Sequence, residues 1–171
     1  MGLENQDQEE REPFLKKVRR YGFLPALRAV SRGFFMKTRW LWLTRFWGMD
    51  IHPDTLISLK ALLDRTNPRG IHIGEGTAIS FEAVILAHDT IRDMHECDTV
   101  IGKFCQIGAR SFIMPGVTIG DHCVVGAATV VTKDVPSGSV IVGNPGRIVR
   151  TGIMTERWGR IIDEGEPAAK K

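Results

Sequence analysis

Hydrophobic and polar positions along this chain follow a six-residue beat. Between Ile101 and Val130 the hexads read IGKFCQ, IGARSF, IMPGVT, IGDHCV and VGAATV, opened by Ile101, Ile107, Ile113, Ile119 and Val125. A small or β-branched residue follows each opener by four, at Cys105, Ser111, Val117, Cys123 and Thr129. Three hexads give an 18-residue period, too short for an ordinary helical repeat. It suits a solenoid whose every turn contributes three short strands, an all-β architecture. Parallel pairing between coils would satisfy the backbone while the openers stack in inward columns. Glycine after the opener, at Gly74, Gly102, Gly108 and Gly120, would relieve crowding at the corner and allow conformations costly to other residues.

The beat starts at Ile51 and continues through Ile57 and Leu63, with the small Ala61 facing inward. TNPRG, residues 66–70, displaces it by four before Ile73, Ile79 and Ile85 resume it with Thr77 and Ala83. That insertion either reaches over a neighbouring site or forms an exposed turn. The next clean opener, Ile101, lies sixteen residues past Ile85, against the eighteen of three hexads. The stretch 88–100, beginning HDTIRDMHECD, is therefore predicted to leave the coil as a loop. After Val131, Pro136 and Pro145 are expected to end regular pairing within TKDVPSGSVIVGNPGRIVR. The solenoid thus spans 51–151, and residues 153–164 within the tail 152–171 predict a short final helix around Met154, Trp158 and Ile161.

A different pattern precedes the repeat. Residues 1–10 read as a disordered tail, and 11–50 as a basic, aromatic-rich helical extension. A short helix is expected over Glu12–Arg20, broken by Gly22 and Pro25, and a second from Pro25 to about Trp47, whose continuity Gly33 puts in question. Ten Lys or Arg stand between Arg11 and Asp50 against Glu12 and Asp50 alone. No run of about 18 uncharged apolar residues exists here, which rules out a plain transmembrane span. Either the extension caps the open end of the solenoid or it lies on a membrane surface, with tryptophans and cations at headgroup level.

Composition narrows the rest. At 171 residues and 43% hydrophobic the chain suits one folded domain with a decorated end. The acidic start MGLENQDQEE is unlike a cleavable signal, so a cytoplasmic protein is expected, peripheral at most to the inner face of a membrane. Three cysteines give no disulfide framework; Cys105 and Cys123, 18 apart, should stack inside, as fits a reducing compartment. No groove-reading motif or aromatic stacking sheet supports nucleic-acid binding.

The phased hexads, together with IHIGEGTAIS, ILAHD, GAATVVTKDVP and GNPGRIVR, resemble the hexapeptide-repeat acyltransferases over about residues 51–151. The nearest likeness is to sugar and polysaccharide-biosynthesis O-acetyltransferases, with maltose and galactoside acetyltransferases among their relatives. That resemblance implies a left-handed parallel β-helix, a homotrimer and acetyl-CoA as acyl donor. The implied reaction is acetyl transfer to a sugar hydroxyl on a nucleotide sugar, lipid-linked sugar or other glycan precursor. N-acetylation of an amino sugar and a non-catalytic scaffold are the alternatives.

His88 is the candidate catalytic residue. It stands where the beat breaks, and an imidazole with an ordinary pKa near 6.5 can take a proton from an attacking hydroxyl near neutrality. The resemblance gives the histidine of the ILAHD stretch this role. Asp89, Asp93 and Glu82 are candidates to orient it, and His95 to meet substrate. His88, Asp93, His95 and Cys97 match no compact zinc signature, so no metal is expected. By the same resemblance, the backbone around Ala109 and Ala127, 18 apart on one edge, would meet the donor's pantetheine arm, as would Thr132 and Lys133. Arg147 and Arg150 would meet its phosphates.

Overall fold

The computed structural model describes residues 18–20, 22–91 and 96–168. The expected tail 1–10 and most of the helix from Glu12 lie outside them, although residues 18–20 are helical. The chain divides into two units, Met1–Thr38 and Arg39–Lys171. Helix α1, Phe23–Leu41, begins after Gly22 and runs through Gly33 without interruption, continuing as a π-helical turn at Trp42–Phe46. A Cβ on Gly33 would meet nothing within 4 Å, so no close packing calls for glycine there.

From Asp50 onward the chain is a left-handed parallel β-helix with three faces. The first stacks Asp50–Ile51, Ile71–Ile73, Thr99–Ile101 and Thr118–Ile119. The second stacks Leu56–Ile57, Ala78–Ile79, Gln106–Ile107, Val124–Val125 and Val140–Val142. The third stacks Leu62–Leu63, Val84–Ile85, Phe112–Ile113 and Val130–Val131. Register follows the beat: Ile51, Ile73, Ile101 and Ile119 align in one column, and Leu63, Ile85, Ile113 and Val131 in another. Every one of these openers is buried, because an inward residue in a triangular prism meets its own column and both others. Cys105 and Cys123 stack inside as free thiols, the Cys123 N–H reaching the Cys105 sulfur at 3.4 Å. The hydrogen bond with Cys123, and then burial, push the Cys105 thiol well above its ordinary range.

The glycines after the openers answer to crowding. A Cβ on Gly102 would stand 2.4 Å from Asp121 Oδ1, and one on Gly120 2.5 Å from Ser137 Oγ. Left-handed backbone occurs instead at the corners, at Gly76, Phe104 and His122, where each coil turns from its first face to its second.

The pairing corrects the arithmetic of the loop. Ile85 closes the third face and Ile101 opens the next coil's first face, so one hexad was due there, not three. The chain 86–100 therefore carries ten residues beyond a single six-residue step. TNPRG adds four at the same corner one coil below, between Leu63 and Ile73. Pairing in the upper coil resumes at Thr99, slightly before the expected end of the loop.

Both ends are closed. Leu43 and Met49 are buried in the core with Trp40 and Trp47 packed against it, and the Trp40 indole N–H donates to Ile51 O at 3.1 Å. Arg39 donates to the carbonyls of Leu59 and Ala61, covering the otherwise open lower edge. At the other end Pro136 does not stop the repeat, since Val140–Val142 still pairs in parallel with Val124–Val125. Beyond Pro145 the chain reverses, and Arg147–Thr151 pairs antiparallel with Val140–Val142. The expected final helix is confined to one 3-10 turn, Arg157–Gly159, between antiparallel strands Met154–Glu156 and Arg160–Asp163. Thr155 draws that hairpin onto the coils, donating to Phe104 O at 2.6 Å, and Arg157 reaches down to Asp54 at 3.0 Å.

Candidate active site

Because both insertions leave from one corner, the residues after Leu63 and Ile85 lie one above the other. Asp64 is 6% exposed yet carries a carboxylate. Its Oδ1 accepts the Thr66 N–H at 2.8 Å, and its Oδ2 accepts the Ala87 N–H at 2.8 Å and bonds His88 Nδ1. Burial alone would raise the Asp64 pKa; the bonds from His88, Ala87 and Thr66 outweigh it and hold the carboxyl below its usual range. An ionised carboxylate only accepts, so His88 Nδ1 carries the hydrogen, and in the neutral ring the lone pair is then on Nε2. The imidazole is 27% exposed against 2% for the Asp64 side chain, so the ring projects from a buried anchor. Such a pair can remove a proton from a group that approaches Nε2, and the carboxylate stabilises the imidazolium that forms.

The insertion below fixes the neck of the loop. Asn67 Nδ2 donates to Ala87 O at 2.9 Å and to Cys97 O at 3.1 Å, drawing the two ends together. The Cys97 thiol donates to Ala87 O at 3.1 Å, and Thr99 Oγ1 donates to Leu86 O at 2.6 Å. A Cβ on Gly70 would come within 2.3 Å of Cys97 O, so only glycine permits this approach. TNPRG thus buttresses the His88 loop and is not a free turn. Burial first, then the charges of Asp64, Asp98 and Asp89, push the Cys97 thiol up and keep it protonated.

Asp64 was not among the residues expected to orient His88. Asp89 accepts the Ile91 N–H at 2.9 Å, and Glu82 accepts from Arg110 Nε at 2.7 Å on the corner between the second and third faces. Asp93 and His95 lie outside the described residues. The signal for Asp64 was available: it is the one acidic residue directly following an opener, a slot filled elsewhere by glycine or neutral residues and once by His52.

Ala109 and Ala127 share the corner between the second and third faces, where the Ala128 N–H donates to Ala109 O at 2.8 Å. Ala127, Thr132 and Lys133 are exposed. Arg147 is also exposed, its guanidinium donating to Gly146 O at 3.0 Å, while Arg150 donates to Glu164 Oε2 at 2.9 Å. No hydrogen bond among the described residues joins these groups to His88. Within one copy, the third face separates the Ala109–Ala127 edge from the His88 corner. Among the described residues no three His, Cys, Asp or Glu converge as a metal-ligand set.

A parallel β-helix of hexads, broken at one corner where an aspartate holds an imidazole, defines a hexapeptide-repeat protein. The family described as Bacterial transferase hexapeptide (six repeats) matches residues 98–133. The Bacillus subtilis protein named "Putative acetyltransferase YvoF" is 38% identical over 140 residues, covering 81% of this chain and 80% of its own. The galactoside O-acetyltransferase of Escherichia coli is 45% identical over 58 residues, 34% of this chain and 29% of that protein. The crystal structure of a maltose O-acetyltransferase from Clostridium difficile matches with a TM-score of 0.51 at 25% identity, covering 64% of this chain and 72% of that one. This chain belongs to the hexapeptide-repeat acetyltransferase family.

Proposed function

We propose that the chain transfers an acetyl group from acetyl-CoA to a sugar hydroxyl of a glycan precursor, with His88 as general base. The observation that carries this reading is the His88–Asp64 pair, buried on the carboxylate side, bonded through Nδ1 and part-exposed at the imidazole. Acetyl-CoA supplies the activated acyl carbon. The acceptor hydroxyl loses its proton to His88 Nε2 as its oxygen bonds that carbon. The carbon–sulfur bond then breaks, and the proton passes from His88 to the departing thiolate. No acyl-enzyme is needed, and Cys97, the cysteine nearest the pair, is held as a thiol.

The Ala109–Ala127 edge fits an extended thioester, because small side chains leave the peptide groups of the corner open to approach. Lys133 and Arg147, both exposed, would meet its phosphates, with Thr132 and Arg150 beside them. The edge and His88 lie on opposite sides of the third face, so an interface between copies is the arrangement that would join them. That face is apolar and open, with Leu62 59% and Phe112 43% exposed. A homotrimer in which one copy's His88 faces its neighbour's donor edge answers both facts, and a cytoplasmic setting agrees with three unpaired cysteines. Galactoside and maltose O-acetyltransferases among the relatives support the sugar hydroxyl, beside serine and chloramphenicol acetyltransferases that name other acceptors.

The test is a thiol-release screen with acetyl-CoA over nucleotide sugars, lipid-linked sugars, free sugars and amino sugars. Turnover on a hydroxyl acceptor that disappears in His88→Ala supports the reading. Turnover confined to amines, or unchanged in His88→Ala, overturns it.

A further inference from the structure

Apolar side chains left in solvent are concentrated before the solenoid. Five of the seven exposed aromatic residues among the described residues fall between Phe23 and Phe46, led by Phe46 at 72% and Phe34 at 68%. In α1, taken by itself, Phe23, Leu27, Phe34 and Leu41 recur at helical spacing along one stripe, with Leu24 and Phe35 beside it. At the foot of the solenoid Trp42 and Phe46 stack at 6.1 Å, and Trp47 meets each ring edge-on. Cations are interleaved with these rings. Arg65 lies 5.1 Å over the Trp42 ring, and Lys37 and Arg45 are exposed. Between Arg11 and Met49 the sequence holds one acidic residue, Glu12.

We infer that residues 23–47 form a peripheral docking element for an anionic lipid bilayer. Aromatic and aliphatic groups that enter the acyl boundary beside cations that meet headgroup phosphates are the requirements of an interfacial helix. A second copy of this chain is a poorer occupant, because facing stripes would oppose like charges. The third face, at whose edge Glu82 and Arg110 neutralise one another, suits a copy better. Among the described residues no helix is long and apolar enough to cross a membrane, so the contact is lateral. Arg65 links the aromatic foot to Asp64, its neighbour in sequence, and bilayer contact would therefore hold the His88 corner near headgroup level.

The experiment is sedimentation of the full chain with vesicles of phosphatidylcholine alone and of phosphatidylcholine mixed with phosphatidylglycerol. Binding to the mixed vesicles should exceed binding to the neutral ones by roughly tenfold or more, and the gap should shrink as salt shortens the Debye length below about 8 Å. Lys37→Glu with Arg45→Glu should close the gap, while Trp42→Ser with Phe46→Ser should weaken binding to both vesicles roughly tenfold. Phe34→Ser with Phe35→Ser repeats the second test away from the solenoid end, in case the foot is needed for folding. Equal sedimentation with both vesicles, or with neither, overturns the inference. So does a pair of aromatic variants that alters the oligomeric state in solution and leaves vesicle binding unchanged. No acetyl transfer enters the readout, so it stands or falls separately from the proposed reaction.

Discussion

The coils from Ile101 to Val131 and the two below them share faces, columns and corners, but differ at one edge. The upper coils advance 18 residues per turn without interruption. The lower two carry insertions of four and ten residues at the same corner, after Leu63 and after Ile85. A strict repeat places equivalent side chains at equivalent points, so it builds edges and columns and no unique constellation. Chemistry needs the symmetry broken. Here both breaks fall in one place, so a buried carboxylate from the first meets an imidazole from the second. The regular part supplies stiffness; the irregular part supplies the His88–Asp64 pair that we propose to be reactive.

The largest expected effect follows from removing the reactive group alone. His88→Ala should lower acetyl transfer by about two to four orders of magnitude while leaving the unfolding midpoint close to that of the parent. A large fall in thermal stability would mean that the corner supports the fold and that the two regions are less separate than argued. The converse substitution lies in the regular coils. Ile107 is fully buried at the centre of the second face, and Ile107→Ala should cost about 2–5 kcal/mol in denaturant unfolding. Activity per folded molecule should survive it. If turnover falls in parallel with stability at low temperature, the columns do more than hold the corner in place.

Asp64→Asn tests the junction itself. The substitution keeps the shape and removes the charge that faces the imidazole. A loss of about 10- to 100-fold in kcat is expected, the rate equivalent of a charged hydrogen bond of about 1.5–3 kcal/mol. The donor KM should hardly change, since the Asp64 side chain is 2% exposed and lies beneath His88, away from the surface a donor would meet. An unchanged kcat would reduce Asp64 to a structural partner of the Ala87 and Thr66 N–H groups.

What could be read from the sequence divides along the same line. Openers, columns, inward cysteines and the place where the coil breaks all follow from periodicity, because one residue type recurs where one environment recurs. Asp64 was missed because it pairs across 24 residues, a distance set by an insertion and not by the beat. The size of the loop was misjudged for a related reason. Sixteen residues lie near three hexads, and only the pairing of Ile85 with Ile113 and of Ile101 with Ile73 shows that one hexad was due. Met154, Trp158 and Ile161 suggested helical spacing in the last segment, yet backbone pairing with its own hairpin partner and the Thr155 bond to Phe104 decide otherwise.

The smallest expected effect sits on the first face, beside the irregular corner. His72 lies between Asp50, 3.1 Å from Nδ1, and Asp98, 3.4 Å from Nε2. Burial alone would lower its pKa, but the bonds to Asp50 and then Asp98 outweigh burial and raise it above the ordinary value. Protonated His72 therefore favours the folded chain. Its contribution is fully present below the unfolded pKa of about 6.5 and is lost as pH rises through the raised folded value. Both carboxylates are largely exposed, so screening keeps the effect within about 1 kcal/mol. In denaturant unfolding, His72→Gln should be less stable than the parent at pH 5.5 and should match it above pH 8.5. Asp98 adjoins Cys97 at the loop neck, so the same protonation should slow amide exchange at Cys97 and Asp98 at the lower pH in the parent alone. If the two proteins differ equally at both pH values, His72 acts through packing, and the neck depends on Asn67 and Gly70 without electrostatic help from the face beside it.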